Sequence, residues 1–122
     1  MAVPASRPEE LQQRLIRFGI AVCRNLRRRR RDLIVDHFAR QLLRSVTAPA
    51  ANYGEARAAE SKADFIHKMR ICLKELRETD VWLQFVTALS RDATPWRALR
   101  DECNELIAIF VASLKTTGED KS

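Results

Sequence analysis

Leu11, Leu15, Phe18, Val22 and Leu26 recur at steps of four, three, four and four, with polar residues between them. That period sets them along one face of an α-helix. The spacing predicts a first helix beginning near Ser6. Ser6 and Glu9 stand at capping-box distance there, and Pro8 falls in the first turn. Arg14, Arg17 and Arg24 lie off the apolar seam.

A second helix is expected from Asp32, a residue type that caps helix N-termini. Ile34, Phe38, Leu42 and Ser45 carry its seam. Small residues follow: Ala48, Ala50, Ala51, Gly54, Ala56, Ala58 and Ala59. Pro49 has no N–H for the Ser45 carbonyl, which predicts a kink, but helical spacing continues on both sides. One bent helix running to about Glu60 is the reading.

Ser61 and Asp64 repeat the capping-box spacing and open a third helix. Phe65, Met69, Cys72, Leu76, Thr79, Leu83 and Val86 alternate steps of four and three, the rhythm of a left-handed bundle. A second stripe, Ile71, Trp82, Phe85 and Leu89, lies roughly 80° around the helix. An apolar arc this wide exceeds what one intramolecular seam needs. It predicts either a central helix or a surface that meets another subunit. Ser90 to Thr94 reads as a loop, with Thr94 as cap and Pro95 at the first position of a fourth helix. Trp96, Leu99, Cys103, Leu106, Phe110 and Leu114 form its seam.

Four amphipathic segments, short connections and no strand alternation predict an all-α fold. The expectation is an antiparallel up-down-up-down four-helix bundle, with residues 1–122 as one domain and a polar tail from about Thr116. The composition agrees, since Ala, Leu, Arg and Glu dominate and Gly and Pro number only 3 and 4.

Charge changes the picture. The formal net charge is +6, and residues 1–50 carry 11 Arg against Glu9, Glu10, Asp32 and Asp36. A basic half joined to a near-neutral half points to an anionic partner. Arg27, Arg28, Arg29, Arg30 and Arg31 are consecutive. One reading is a solvated helix end, favourable at the negative pole of the helix dipole. The other is a phosphate-binding patch extended by Arg14, Arg17 and Arg24. No aromatic interleaves the run, so contact would be to the backbone of RNA or DNA and weakly sequence-specific.

Candidate chemistry is sparse. A di-iron bundle site requires paired Glu-x-x-His motifs, and the sequence has none. Asp64 and His67 stand at comparable spacing, once, so no metal and no cofactor is expected. Glu55, Glu75 and Glu78 could do acid–base work. Their alternative role is to form, with Arg44 and Asn52, a structural polar network that fixes helix register. Asn52 is expected to bond toward the Glu75–Glu78 region or Arg44. Cys23, Cys72 and Cys103 are odd in number and widely spaced, and no signal-peptide core or membrane span is visible. The reading is a cytoplasmic protein with reduced thiols and no enzymatic activity.

The stretch from Gln41 to Leu83 carries a resemblance. Its pieces are Gln41-Leu42-Leu43-Arg44-Ser45, Ala51-Asn52-Tyr53-Gly54-Glu55-Ala56, Ser61-x-x-Asp64-Phe65-Ile66-x-Lys68 and Lys74-Glu75-x-x-Glu78-Thr79-x-x-Trp82-Leu83. In order and spacing these resemble the bacterial four-helix-bundle proteins related to the 23S rRNA intervening-sequence protein. The resemblance implies a ring-shaped homopentamer without enzymatic activity. It also implies, through a related branch, a basic accessory protein to the reverse transcriptase of diversity-generating retroelements. Two departures stand out: Pro49 replaces a large aliphatic residue, and the arginine run replaces a shorter helix connection. The expectation is a nucleic-acid-binding scaffold whose subunits meet through Ile71, Trp82, Phe85 and Leu89. The alternative is a protein-interaction module that binds no nucleic acid.

Overall fold

The structure, a computed structural model, describes residues 7–118. It contains four helices: α1 (Pro8–Arg27), α2 (Leu33–Arg57), α3 (Lys62–Leu89) and α4 (Thr94–Thr116). Two predicted caps form. The Asp32 carboxylate accepts from the Val35 N–H at 2.8 Å, and the Ser61 hydroxyl accepts from the Asp64 N–H at 3.0 Å. Each satisfies a donor that has no partner within its own helix.

The other boundaries differ from expectation. Ser6 lies outside the described residues, and α1 is preceded by Arg7, whose side chain makes no capping bond. Thr94 is the first residue of α4 rather than its cap. Ala93 is already helical, so the Asp92 carboxylate, one residue further back, accepts from the Thr94 N–H at 3.1 Å. Helix α2 stops at Arg57, short of Glu60. The Ala58 and Ala59 N–H groups tighten onto the Glu55 and Ala56 carbonyls, three residues back, which ends the α-helical ladder. At the far end of α4, Gly118 takes φ 89°, a left-handed conformation suited to glycine after a helix. The rest of the predicted polar tail, residues 119–122, lies outside the described residues.

The helices pack as a square, with α2 and α4 each flanked by α1 and α3. Consecutive helices run antiparallel. Arg44 meets Glu78 and Glu55 meets Lys68 across α2 and α3, while Arg14 meets Glu102 across α1 and α4. The α1–α2 and α3–α4 turns therefore share one end of the bundle. Pro8, Thr116 and the α2–α3 turn occupy the other.

The core runs the length of the square. The predicted seams of α1, α3 and α4 are buried, with Phe65 and Leu99 packed at its margin. The seam of α2 holds at Leu42 and Ser45, with Phe38 half-buried at its margin, and departs from expectation at Ile34. Ala39, Leu42, Val46, Tyr53 and Ala56 face inward, whereas Ile34 is 61% exposed and Leu33 83%. The inward phase starts at the half-buried Val35 and passes through Ala39, whose small side chain disguised it. Helix α2 continues unbroken through the buried Pro49, whose carbonyl accepts the Cys72 thiol at 3.5 Å. Among the described residues, no helix is long and apolar enough to cross a membrane.

Candidate nucleic-acid interface

The five arginines form the corner between α1 and α2. Arg27 ends α1, and Arg28 caps it in helical conformation. Arg29 turns back, donating Nη1 to the Leu26 carbonyl at 2.6 Å and Nε to Asp36 Oδ1 at 3.1 Å. A cation on the last carbonyls is stabilising, because the helix dipole is negative there. Arg31 donates Nε to the same Asp36 oxygen at 3.0 Å. Burial pushes the Asp36 carboxyl up, but the hydrogen bonds from Arg31 and Arg29 outweigh it and hold the group below its ordinary value. One carboxylate thus anchors two cations. Arg27, Arg28, Arg30 and Arg31 remain exposed.

The second turn at this end completes the site. A groove of about 660 Å3 lies between the two turns, lined by Arg28, Arg29, Arg30 and Arg31 on one side and by Arg91 and Asp92 on the other. Its floor includes Leu26, Val86 and the buried Trp96. Arg91 was not singled out in the sequence. The signal was available, since an up-down-up-down bundle must bring its first and third turns to one end.

Other predicted residues divide. Arg17 and Arg24 are exposed on α1. Arg14 belongs to a different structure. Its Nε and Nη2 donate to the Glu102 carboxylate at 2.7 and 2.8 Å, and Nη2 also reaches Glu105 at 3.2 Å. Hydrogen bonding to Glu102 raises the Arg14 pKa. A forked pair of this kind fixes α1 against α4. Arg14 is therefore engaged in a structural pair between α1 and α4.

The predicted polar network is also split. Arg44 pairs with Glu78, whose Oε2 accepts from Trp82 Nε1 at 3.0 Å. The Trp82 hydrogen bond lowers the Glu78 pKa most; burial opposes it and Arg44 adds to it. Glu75 Oε1 lies 3.9 Å from Arg44 Nη1 and, though buried, accepts no hydrogen bond. Glu55 pairs with Lys68 at 2.7 Å. Asn52 does not join them: its amide donates to the Ala48 carbonyl at 3.0 Å, within its own helix. The geometry is local because a side chain this short reaches the carbonyl four residues back before it reaches α3. The three carboxylates thus stand in ion pairs along the α2–α3 seam. Burial pushes the Cys72 and Cys103 thiols up to about 12, so neither forms a thiolate nucleophile near neutrality. Among the described residues, no group of three or more His, Cys, Asp or Glu could hold a metal ion.

On the outer face of α2 and α3, Phe38 stacks on Phe85 with ring centroids 4.4 Å apart, and Trp82 packs against both. Phe85 is 44% exposed and Leu89 is also exposed, while Ile71 and Trp82 are half-buried. The antiparallel register brings the exposed Ile34 level with Leu89. The apolar stripe thus continues across two helices to the arginine corner.

Comparison with known proteins adds three findings. The model of the family described as 23S rRNA-intervening sequence protein matches residues 9–112. A crystal structure of a protein of unknown function from the S23 ribosomal protein family of Bacteroides thetaiotaomicron is similar, with a TM-score of 0.73 and 25% identity, covering 88% of this chain and 97% of that one. A comparison with curated proteins finds no match.

Proposed function

The chain belongs to the 23S rRNA-intervening sequence protein family, and on that premise we propose that it is a non-enzymatic, homo-oligomeric scaffold that binds nucleic-acid backbone in the cytoplasm. The observation that carries this reading is the exposed arginine corner facing Arg91 across one groove. Cations gathered at a bundle end suit phosphates, and release of condensed counterions drives such binding. Arg17, Arg24, Arg27, Arg28, Arg30, Arg31 and Arg91 make the contacts, with Arg29 supporting them from beneath.

The exposed part of the Trp82–Phe85–Leu89 stripe supports self-association, since contiguous exposed apolar surface marks interaction sites. The pentamer is the state the family resemblance implies. Five copies would repeat the arginine corner and turn a weak phosphate site into a multivalent one. The ligand is RNA or DNA backbone, and the protein partner is a polymerase working on it, a reverse transcriptase of a retroelement being the case the resemblance implies.

The test is binding to an RNA duplex as a function of salt, with light scattering on the same sample. A steep inverse salt dependence, largely lost when Arg27–Arg31 are replaced by Gln, is the expected result. A flat dependence, or no loss in the variant, would overturn the reading. The same stripe also favours a second reading, a protein-interaction module without nucleic acid. A partner complex that survives nuclease treatment while RNA binding is absent would select it.

A further inference from the structure

The apolar floor between α1 and α2 has no role in the reading above. On α1 it is lined by Ile16, Ile20 and Cys23, and on α2 by Leu43, Thr47 and Ala50. Each set steps by four and three residues, so both helices turn a continuous strip toward one furrow. The furrow has two sections, of about 390 and 320 Å3, that share Cys23 and Arg27. It follows α1 from Leu15 to Leu26, a length of about 16 Å at the helical rise. Ile20 and Leu43, 45% and 48% exposed, stand along it and open it to solvent.

Its charged lining has one sign. Arg24, Arg27, Arg29 and Arg40 contribute to the walls, and no carboxylate does. Arg29 is held by Asp36, while Arg24, Arg27 and Arg40 are exposed.

We propose that this furrow docks an amphipathic helix of a partner protein, about three turns long, whose apolar stripe is flanked by Asp and Glu. Two parallel ridges at helical spacing form the groove into which a third helix packs, read as anchors at i, i+3, i+4 and i+7. An open trough of half-exposed side chains suits a helix better than a small molecule, which favours an enclosed cavity. The arginine rim selects acidic flanks and repels basic ones. A second copy of this chain fits poorly. Helix α3 exposes Val81, Phe85 and Leu89, but its neighbouring acids Glu78 and Asp80 already hold Arg44 and Arg100. Helix α4 carries Asp101, Glu102 and Glu105, yet none of its described residues is an exposed large hydrophobic, and two of those acids already hold Arg14.

The test uses the full chain after nuclease treatment, so it stands apart from the nucleic-acid reading. The probe is a synthetic helical peptide with Leu at i, i+3, i+4 and i+7 and Glu on both flanks, beside a twin with Lys flanks. Fluorescence anisotropy is expected to show the Glu peptide binding at least about tenfold tighter than its twin. Leu43→Glu and Ile20→Glu, at exposed positions, are expected to abolish that preference, while Val81→Glu on the far side leaves it intact. Alkylation of Cys23 is expected to slow in proportion to peptide occupancy. Equal affinity for the two peptides, insensitivity to Leu43→Glu, or unprotected Cys23 would each overturn the proposal. So would protection by oleate without protection by peptide, which identifies an acyl-chain site. A fall in assembly mass on Leu43→Glu would also overturn it, by making the furrow a contact between copies.

Discussion

The hydroxyls of Thr79 and Ser45 lie 2.9 Å apart across the α2–α3 seam, and both side chains are wholly buried. Thr79 is also 2.8 Å from the Glu75 carbonyl, while Ser45 reaches its own helix, at the Leu42 carbonyl, only at 3.4 Å. Thr79 Oγ1 donates to Ser45 Oγ, and Ser45 has only the long contact to Leu42 for its own proton. Thr79→Val keeps the shape and leaves Ser45 with its one long bond. It is expected to cost about 1–2 kcal/mol. The double variant Thr79→Val with Ser45→Ala should cost less than the two singles together, by about 1 kcal/mol. Urea unfolding of the four proteins measures this coupling.

Arg14 separates structure from binding. Arg14→Gln breaks the fork to Glu102, a partly exposed pair, and is expected to cost about 0.5–1 kcal/mol after solvent screening. Its effect on the salt dependence of RNA binding should be nil. Equilibrium unfolding and a salt titration on one variant check both halves.

Arg91→Gln should behave in the opposite way. Replacing an exposed cation in the groove is expected to lower the slope of log K against log salt by about 1 and leave stability unchanged. A slope equal to that of the parent would remove Arg91 from the interface.

Acid should weaken the α2–α3 pairing through Glu78. Its folded pKa lies below the ordinary 4.5, so the stabilisation is fully present above that value and is lost as pH falls through the folded pKa. In the window below 4.5 the unfolded chain binds more protons than the folded one. Glu78→Gln is expected to be less stable at pH 7 and to lose part of the acid dependence. Unfolding midpoints between neutral and acid pH test the sign.

Thiol reactivity should be unequal. Cys72 and Cys103, pushed up to about 12 and buried, are expected to stay silent in the folded protein. Cys23 is half-buried and should react first. Timed alkylation with and without denaturant distinguishes the three.

The seams of α1, α3 and α4 were legible because large apolar side chains mark a helical period without ambiguity. Helix α2 was harder. Ala39 and Ala56 fill core positions where a close neighbour leaves no room, while Ile34 and Phe38 sit on the flank and draw the eye. Asp32 and Ser61 were readable as caps because each precedes an apolar run at the usual spacing. Thr94 misled because the helix starts one residue earlier than a Thr94 cap requires, and its own N–H is taken by Asp92. In the candidate site the arginine run announced itself, but the bond from Arg14 to Glu102 spans most of the chain. Only three-dimensional proximity decides which cation is already occupied.

Antiparallel packing of four helices sends Pro8 and Thr116 to the end farthest from Arg28 and Arg91. Anything tethered there, whether an affinity tag, a fluorescent reporter or a neighbouring module, hangs away from the arginines. Immobilised by its last helix on a sensor surface, the bundle would point its cationic tip into the flow.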